Sequence, residues 1–232
     1  MIEIRTLNEP DQFALIPALE RAIWGNTDTV PTSLIRVMTT LGGELSVAGL
    51  GEAPDQWVGF TMSIGAFDHD GPYLYSHQAG VLPAWQNRGI GRLLKYHQNR
   101  WAEKAGYGRI RWTFDPLRAL NAHFNVGILG VDVIAYYPDH YGALESGLNR
   151  GLATDRLLVE WRVPAPRPRP RPARHCFKIY IPDDIGRLKE TEPDQARRWQ
   201  LAVRGQFQDG LRAGYRVVGF TLHPAPAYLL SN

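Results

Sequence analysis

A mixed α+β fold is what this 232-residue sequence predicts, and three observations carry that reading. Short β-rich runs and amphipathic helical runs interleave over the first two thirds of the chain instead of segregating. A strand, a glycine-bearing loop and a helix follow one another near the middle, from Tyr73 to about Ala105. At 44% hydrophobic and 11% aromatic, the chain has ample material for a buried core.

Glu3 to Leu7 reads as a strand. Pro10 and Asp11 suit the first turn of a helix running to about Trp24, with Leu15, Leu19 and Ile23 on one face. A second amphipathic stretch, Pro31 to Leu41, ends in Gly42-Gly43, and strands follow at Glu44 to Leu50, Trp57 to Phe67 and Tyr73 to Val81. Asp68-His69-Asp70-Gly71-Pro72 is turn chemistry that makes the last two strands an antiparallel hairpin, although the same three polar side chains could stand at a binding mouth. Ile90, Leu93, Leu94, His97 and Trp101 then recur at helical spacing until Gly106 and Gly108. Arg109 to Phe114 is a strand, Leu117 to about Leu129 a helix, and Val131 to Tyr136 and Arg156 to Val163 are strands.

From Pro164 to Arg174 proline alternates with arginine, which removes backbone donors and forces an extended path that neither a helix nor a central strand can use. The expected division is therefore a domain over residues 1–163, a linker over 164–174, and a small β-α-β extension over 175–232. In the extension Phe177 to Ile181 and Tyr215 to Leu222 read as strands, and Pro193 to Ala213 as a helix.

Charge follows the same division. Residues 1–163 hold 14 Lys/Arg against 17 Asp/Glu, net −3, whereas 164–232 hold 12 against 6, net +6. The basic excess thus sits in the linker and tail. Without interleaved aromatics, the linker arginines read as a soluble spacer rather than a nucleic-acid contact. No apolar run approaches the roughly 18 residues of a membrane span, and Met-Ile-Glu-Ile-Arg does not resemble a secretory signal. A single Cys176 excludes an internal disulfide and a cysteine zinc cage, and the seven histidines show no metal-ligand spacing. A cytoplasmic protein without a bound metal is expected.

The chemistry concentrates at Val81-Leu82-Pro83-Ala84-Trp85-Gln86-Asn87-Arg88-Gly89-Ile90-Gly91, where a strand gives way to a helix. A helix start carries unsatisfied N–H groups and partial positive charge, and glycines let an anion approach the bare backbone. Such a loop favours a pyrophosphate. It matches neither the nucleotide P-loop, which needs Gly-Lys-Ser/Thr, nor the Rossmann glycine fingerprint.

Gln86, Gly89 and Gly91, following the Val81-Leu82-Pro83 strand end, resemble the Gln/Arg-x-x-Gly-x-Gly/Ala motif of the GNAT superfamily of acyl-CoA-dependent N-acyltransferases. The order of elements from Glu3 to about Val163 also looks like that family's fold, a mixed, mostly antiparallel sheet split at its centre with helices on both faces. The resemblance implies acetyl-CoA or another acyl-CoA as co-substrate. Its pyrophosphate would rest on amides from about Arg88 to Arg92, through Gly89, Ile90 and Gly91, with Gln86 and Asn87 also counted as cofactor-binding, and its pantetheine arm would lie along Val81 and Leu82. Asn121 looks like the family's helix asparagine that contacts that arm; otherwise it is a polar helix-start residue.

The reaction implied is direct transfer to an amine, which needs a base for the ammonium proton and a proton source for the departing thiolate. Strand alternation places Tyr75, His77, Ala79 and Val81 on one face, the side from which family bases come, and His77 is the candidate base; a structural histidine is the alternative. The family's acid, a tyrosine seven residues after the helix asparagine, is replaced by Ile128, which leaves Tyr141 or Tyr137 as the candidate. The acceptor, a small-molecule or peptide amine, is not legible, and neither is the oligomeric state, for which a homodimer reached through the spacer is one arrangement. The tail is expected to shape or cover the acceptor site. The competing function is a non-catalytic acyl-CoA-binding or regulatory protein.

Overall fold

The computed structural model describes residues 1–25, 29–51, 56–142, 151–166 and 177–232. It divides into two compact units, Met1–Trp112 with Arg162–Ala165, and Thr113–Trp161 with Pro166–Asn232.

In the first unit β1 (Ile2–Thr6) leads through a 3-10 turn, Pro10–Ala14, into α1 (Leu15–Trp24) and α2 (Thr32–Thr40). Then come β2 (Leu45–Leu50), β3 (Trp57–Asp68), β4 (Gly71–Val81), a second 3-10 turn at Pro83–Trp85, α3 (Ile90–Lys104) and the start of β5 (Arg109–Phe114). Strands β1 to β4 pair in sequence order, each antiparallel to the next, and β5 joins β4 in parallel. The expected mixed, mostly antiparallel sheet is present. Asp68 pairs with Gly71, so His69 and Asp70 form the two-residue hairpin turn. Asp68 does more than turn the chain, because Arg109 and Arg111 both donate to its carboxylate.

Helices cover both faces of this sheet. On one, Phe13, Ile16, Leu19, Ile35 and Met38 pack with Leu45, Val47, Phe60 and Met62. On the other, Ile90 and Leu94 of α3 pack with Ala48 and Val58. The α1 stripe is broader than expected: Ile16, Leu19 and Glu20 are buried, while Leu15 and Ile23 flank it half-buried. Each fully buried side chain of this kind is worth roughly 1.5–3 kcal/mol.

In the second unit α4 (Ala119–Ala122) widens directly into a π-helix, His123–Leu129. Next come β6 (Asp132–Tyr137) and β7 (Arg156–Arg162), an antiparallel pair, with β7 neighbouring β5. The C-terminal part is β8 (Phe177–Tyr180), α5 (Ile185–Thr191), α6 (Pro193–Arg212), β9 (Arg216–Thr221) and β10 (Ala227–Ser231). The expected β-α-β extension is thus corrected to a three-stranded antiparallel sheet, order β8-β10-β9, with two helices. Strand β10, which follows Pro224-Ala-Pro226 and lies beyond the last expected element, is the central strand.

The expected grouping of 1–163 apart from 175–232 does not coincide with the compact units, because 113–161 shares its core with the C-terminal segment. Tyr136 of β6 stacks on Phe207 of α6 at 5.5 Å, and Phe207 meets Tyr228 of β10 edge-on at 4.9 Å. The Tyr228 hydroxyl donates to the Pro116 carbonyl at 2.9 Å. Most of the expected linker, from Arg167 on, lies outside the described residues, as does Cys176. Among the described residues, no helix is long and apolar enough to cross a membrane.

Candidate functional site

The end of β4 is paired with β3. Strand β3 pairs with it as far as Val81, whereas the described ladder to β5 consists of Leu74 with Ile110 and Tyr75 with Arg111. The strand runs on to Val81. Beyond it, the Leu82 N–H bonds the Val58 carbonyl at 2.8 Å, Trp85 N–H closes the 3-10 turn on Leu82, and Gln86 Nε2 donates to the Val81 carbonyl at 3.0 Å. Gln86 thus holds the turn through the strand end.

Asn87 (φ 60) and Gly89 (φ 80) are both left-handed, which swings the chain into α3 within a few residues. No side chain caps α3, so the first-turn N–H groups at Ile90, Gly91 and Arg92 have no partner within the helix. A Cβ at Gly89 would meet nothing within 4 Å. The segment from Gln86 to Gly89 is exposed, Ile90 is buried as the anchor, and the Arg88 guanidinium sits 4.7 Å above the Trp85 ring. An exposed, uncapped helix start with bare backbone in front of it suits a phosphate-bearing ligand.

His77 occupies a β-bulge. Ser63 pairs with Ser76 and Met62 with Gln78, leaving His77 as the extra residue. The bulge overturns the expectation that Tyr75, His77, Ala79 and Val81 share a face. Ser76 points to Lys95 of α3, whereas Gln78 bonds Glu20 of α1, and a Cβ on Gly80 would meet Ile23 at 2.9 Å. Even-numbered positions therefore change sides at the bulge, and Val81 lies under α3 with Ile90 and Leu94. His77 itself is exposed, yet neighbouring protein strips enough water from its ring to lower its pKa below the ordinary 6.5.

Beneath this strand lies a buried polar network that the sequence reading missed. Lys95 donates to Ser76 Oγ at 2.9 Å and Gln98 Oε1 at 2.7 Å, and its ammonium stands 3.7 Å from the Trp112 ring centre. Gln98 Nε2 donates to Glu44, which also accepts from Thr61. Burial lowers Lys95 to about 7, against the pull of Glu44, and raises the Glu44 carboxyl. The available signal was a run of polar residues, Lys95, Gln98 and Asn99, on the core-facing side of an otherwise amphipathic helix.

In the second unit Asn121 is exposed and accepts from Asn125 Nδ2 at 3.1 Å. Ile128, seven residues after Asn121, lies within the π-helix. Tyr141 is exposed; its hydroxyl lies 3.0 Å from Thr113 Oγ1, and Arg156 covers its ring at 5.2 Å. Tyr137 instead stacks on His140 at 5.0 Å. Among the described residues Asp68, His69 and Asp70 gather three potential ligand atoms, but Asp68 is committed to its two arginines. Partial desolvation works to raise the Asp68 carboxyl, and Arg109, the Asp70 N–H and Arg111 outweigh it, holding it at about 2.

Comparison with known proteins agrees with this geometry. Residues 22–124 match the acetyltransferase (GNAT) family. No curated protein matches the sequence. The ribosomal-protein-S18-alanine N-acetyltransferase of Escherichia coli shares the fold, with TM-score 0.54 and 15% identity, over 70% of this chain and 94% of that one. Arabidopsis thaliana Naa50, solved with the bisubstrate analogue CoA-Ac-MVNAL, aligns with TM-score 0.51 and 15% identity, over 68% and 97% of the two chains. Arabidopsis thaliana NAA60 in complex with a bisubstrate analogue aligns with TM-score 0.54 and 14% identity, over 72% and 100%.

Proposed function

We propose, on the premise that residues 22–124 form a domain of the GNAT acetyltransferase family, that this protein moves an acyl group, acetyl in the first instance, from acyl-CoA to an amine. The observation that carries the reading is the uncapped start of α3 behind a left-handed, sterically open Gly89, just past the end of β4. Acyl-CoA supplies an activated thioester. Backbone amides from Arg88 to Arg92 hold its pyrophosphate, Gln86 and Asn87 shape that loop, and the Val81–Leu82 edge, with Asn121, orients the pantetheine arm.

His77, its pKa lowered by desolvation, is neutral at neutral pH and takes the ammonium proton of the acceptor. Tyr141 gives a proton to the leaving thiolate. The acceptor class is a small-molecule or peptide amine; the peptide-bearing analogue bound by Naa50 supports including peptide N-termini in a first screen. The proposal assigns no role to a metal and places the reaction in the cytoplasm.

Calorimetric titration with acetyl-CoA tests this, comparing wild type with Gly89→Val, since a β-branched side chain is strained at φ 80 and obstructs backbone approach. Binding heat in the wild type that is lost in a folded variant supports the site and directs an amine screen. No heat with acetyl-CoA or longer acyl-CoAs in the wild type would sink the transferase reading.

A further inference from the structure

The geometry points to Arg204 of α6 as a positioning residue for Tyr141, which gives the C-terminal segment a specific task in the second unit. The functional consequence rests on the role proposed for Tyr141; the anchoring itself rests on the bonds alone.

Arg204 meets Asp155 with a two-pronged grip, Nε to Oδ2 at 2.9 Å and Nη2 to Oδ1 at 2.7 Å. Asp155 is buried, and the same carboxylate accepts from the Tyr136 hydroxyl and, at 3.0 Å, from the Asp139 N–H. Asp139 in turn accepts from the Thr154 N–H at 3.0 Å and hydroxyl at 3.1 Å, and Thr154 Oγ1 accepts from the Tyr141 N–H at 2.8 Å. The His140 N–H bonds the Thr154 carbonyl at 3.0 Å. One turn earlier on α6, Gln200 brackets Ala153, donating to its carbonyl at 2.7 Å and accepting from its N–H at 3.1 Å.

Residues 139–141 and 153–155 are thus stapled together, and α6 clips the staple twice, through side chains four residues apart on one helical face. The clip answers a real demand. Asp139 holds φ 43, an uncommon backbone state for a residue with a side chain, which persists only where its surroundings over-determine it. The bonds to Asp155 and Thr154 do so, and Tyr141 leaves this turn with its backbone fixed, its hydroxyl against Thr113 and its ring beneath Arg156. Without Arg204, the buried Asp155 carboxylate loses its counter-charge and pulls on the turn that carries Tyr141.

The test uses full-length protein labelled with 3-fluorotyrosine, with the Tyr141, Tyr136 and Tyr228 resonances assigned by Tyr→Phe substitution. In Arg204→Gln the Tyr141 resonance should move or split while Tyr228, in the same core, stays in place. Arg204→Lys, which keeps the charge but not the planar fork, should restore part of the shift. If Arg204→Gln does not fold, Gln200→Ala removes the other clip and should give a smaller Tyr141 displacement. A Tyr141 resonance that stays at its wild-type position, or moves only together with Tyr228, overturns the inference. Acetyl-CoA calorimetry on the same samples separates the two readings: absence of binding in the wild type counts against the transferase and leaves the fluorine result to decide the anchoring.

Discussion

Lys95 reaches Glu44 through Gln98, whose amide oxygen accepts from the lysine at 2.7 Å while its nitrogen donates to the carboxylate at 2.8 Å. Both charged groups lie in the core under the sheet, and the lysine also holds Ser76, the residue just before the β4 bulge. Such a network costs desolvation and yields geometry: the register shift that presents His77 is fixed from below.

That cost should be visible in the pH dependence of stability. Lys95 titrates near 10.5 when unfolded and at about 7 when folded, so between these values the unfolded chain binds more protons and stability rises with pH. The slope from this one group is at most about 1.4 kcal/mol per pH unit. Glu44 acts in the opposite sense just above its ordinary 4.5, where the folded chain keeps the extra proton and stability falls as pH rises. Lys95→Met should flatten the alkaline rise, read by urea unfolding at pH 7 and pH 9. Equal gains in wild type and variant would show that Lys95 is not desolvated.

The His77 ring loses its proton below the ordinary 6.5, so acyl transfer should climb with pH on the acid side and level off before neutrality. His77→Asn should lower turnover by about 100-fold or more and remove that acid limb while acetyl-CoA affinity stays near wild type. A pH–rate profile of unchanged shape in the variant would return His77 to a structural role.

Gly43 lies where the chain leaves α2, and a Cβ there would come 2.6 Å from the Met38 carbonyl and closer still to that of Ser63. Backbone oxygens cannot step aside as a side-chain tip can. Gly43→Ala should therefore destabilise by about 2 kcal/mol or more, within the range seen for overpacked interiors. Chemical denaturation measures it, and a change below 0.5 kcal/mol, about what a surface substitution causes, would contradict the crowding.

In the second unit Tyr136→Phe removes one donor from Asp155 and leaves Arg204 in place. A loss of about 1–2 kcal/mol is expected, against about 3 kcal/mol or more for Asp155→Ala, which strands the arginine. Denaturant melts of the two variants should rank in that order, and the reverse order would mean that burying the Asp155 charge costs more than its bonds return.

Hydrophobic alternation and turn residues made most of the first unit legible: strands β1 to β4, helices α1 to α3 and the hairpin at Asp68 to Gly71 all stand within a few residues of their expected limits. The loop from Gln86 to Gly91 was legible because glycines at a strand-to-helix junction have a physical meaning. The bulge at His77 was not, since register depends on the partner strand, and simple alternation carried the wrong face through it. Lys95 and Glu44 were hidden because periodicity marks which side of a helix is buried but not that a charge is tolerated there. The π-helix and strand β10 were missed for the same kind of reason: widening after His123 and pairing of Ala227 to Ser231 are set by packing against β9 and β8, not by local propensity.

The chain passes between the two compact units at 112/113, 161/162 and 165/166, and the first two crossings fall inside β5 and β7. Neither unit is an uninterrupted length of polypeptide, so no single cut releases one intact. Attempts to express residues 1–112 or 113–232 alone should therefore yield chains that lack a strand end they need.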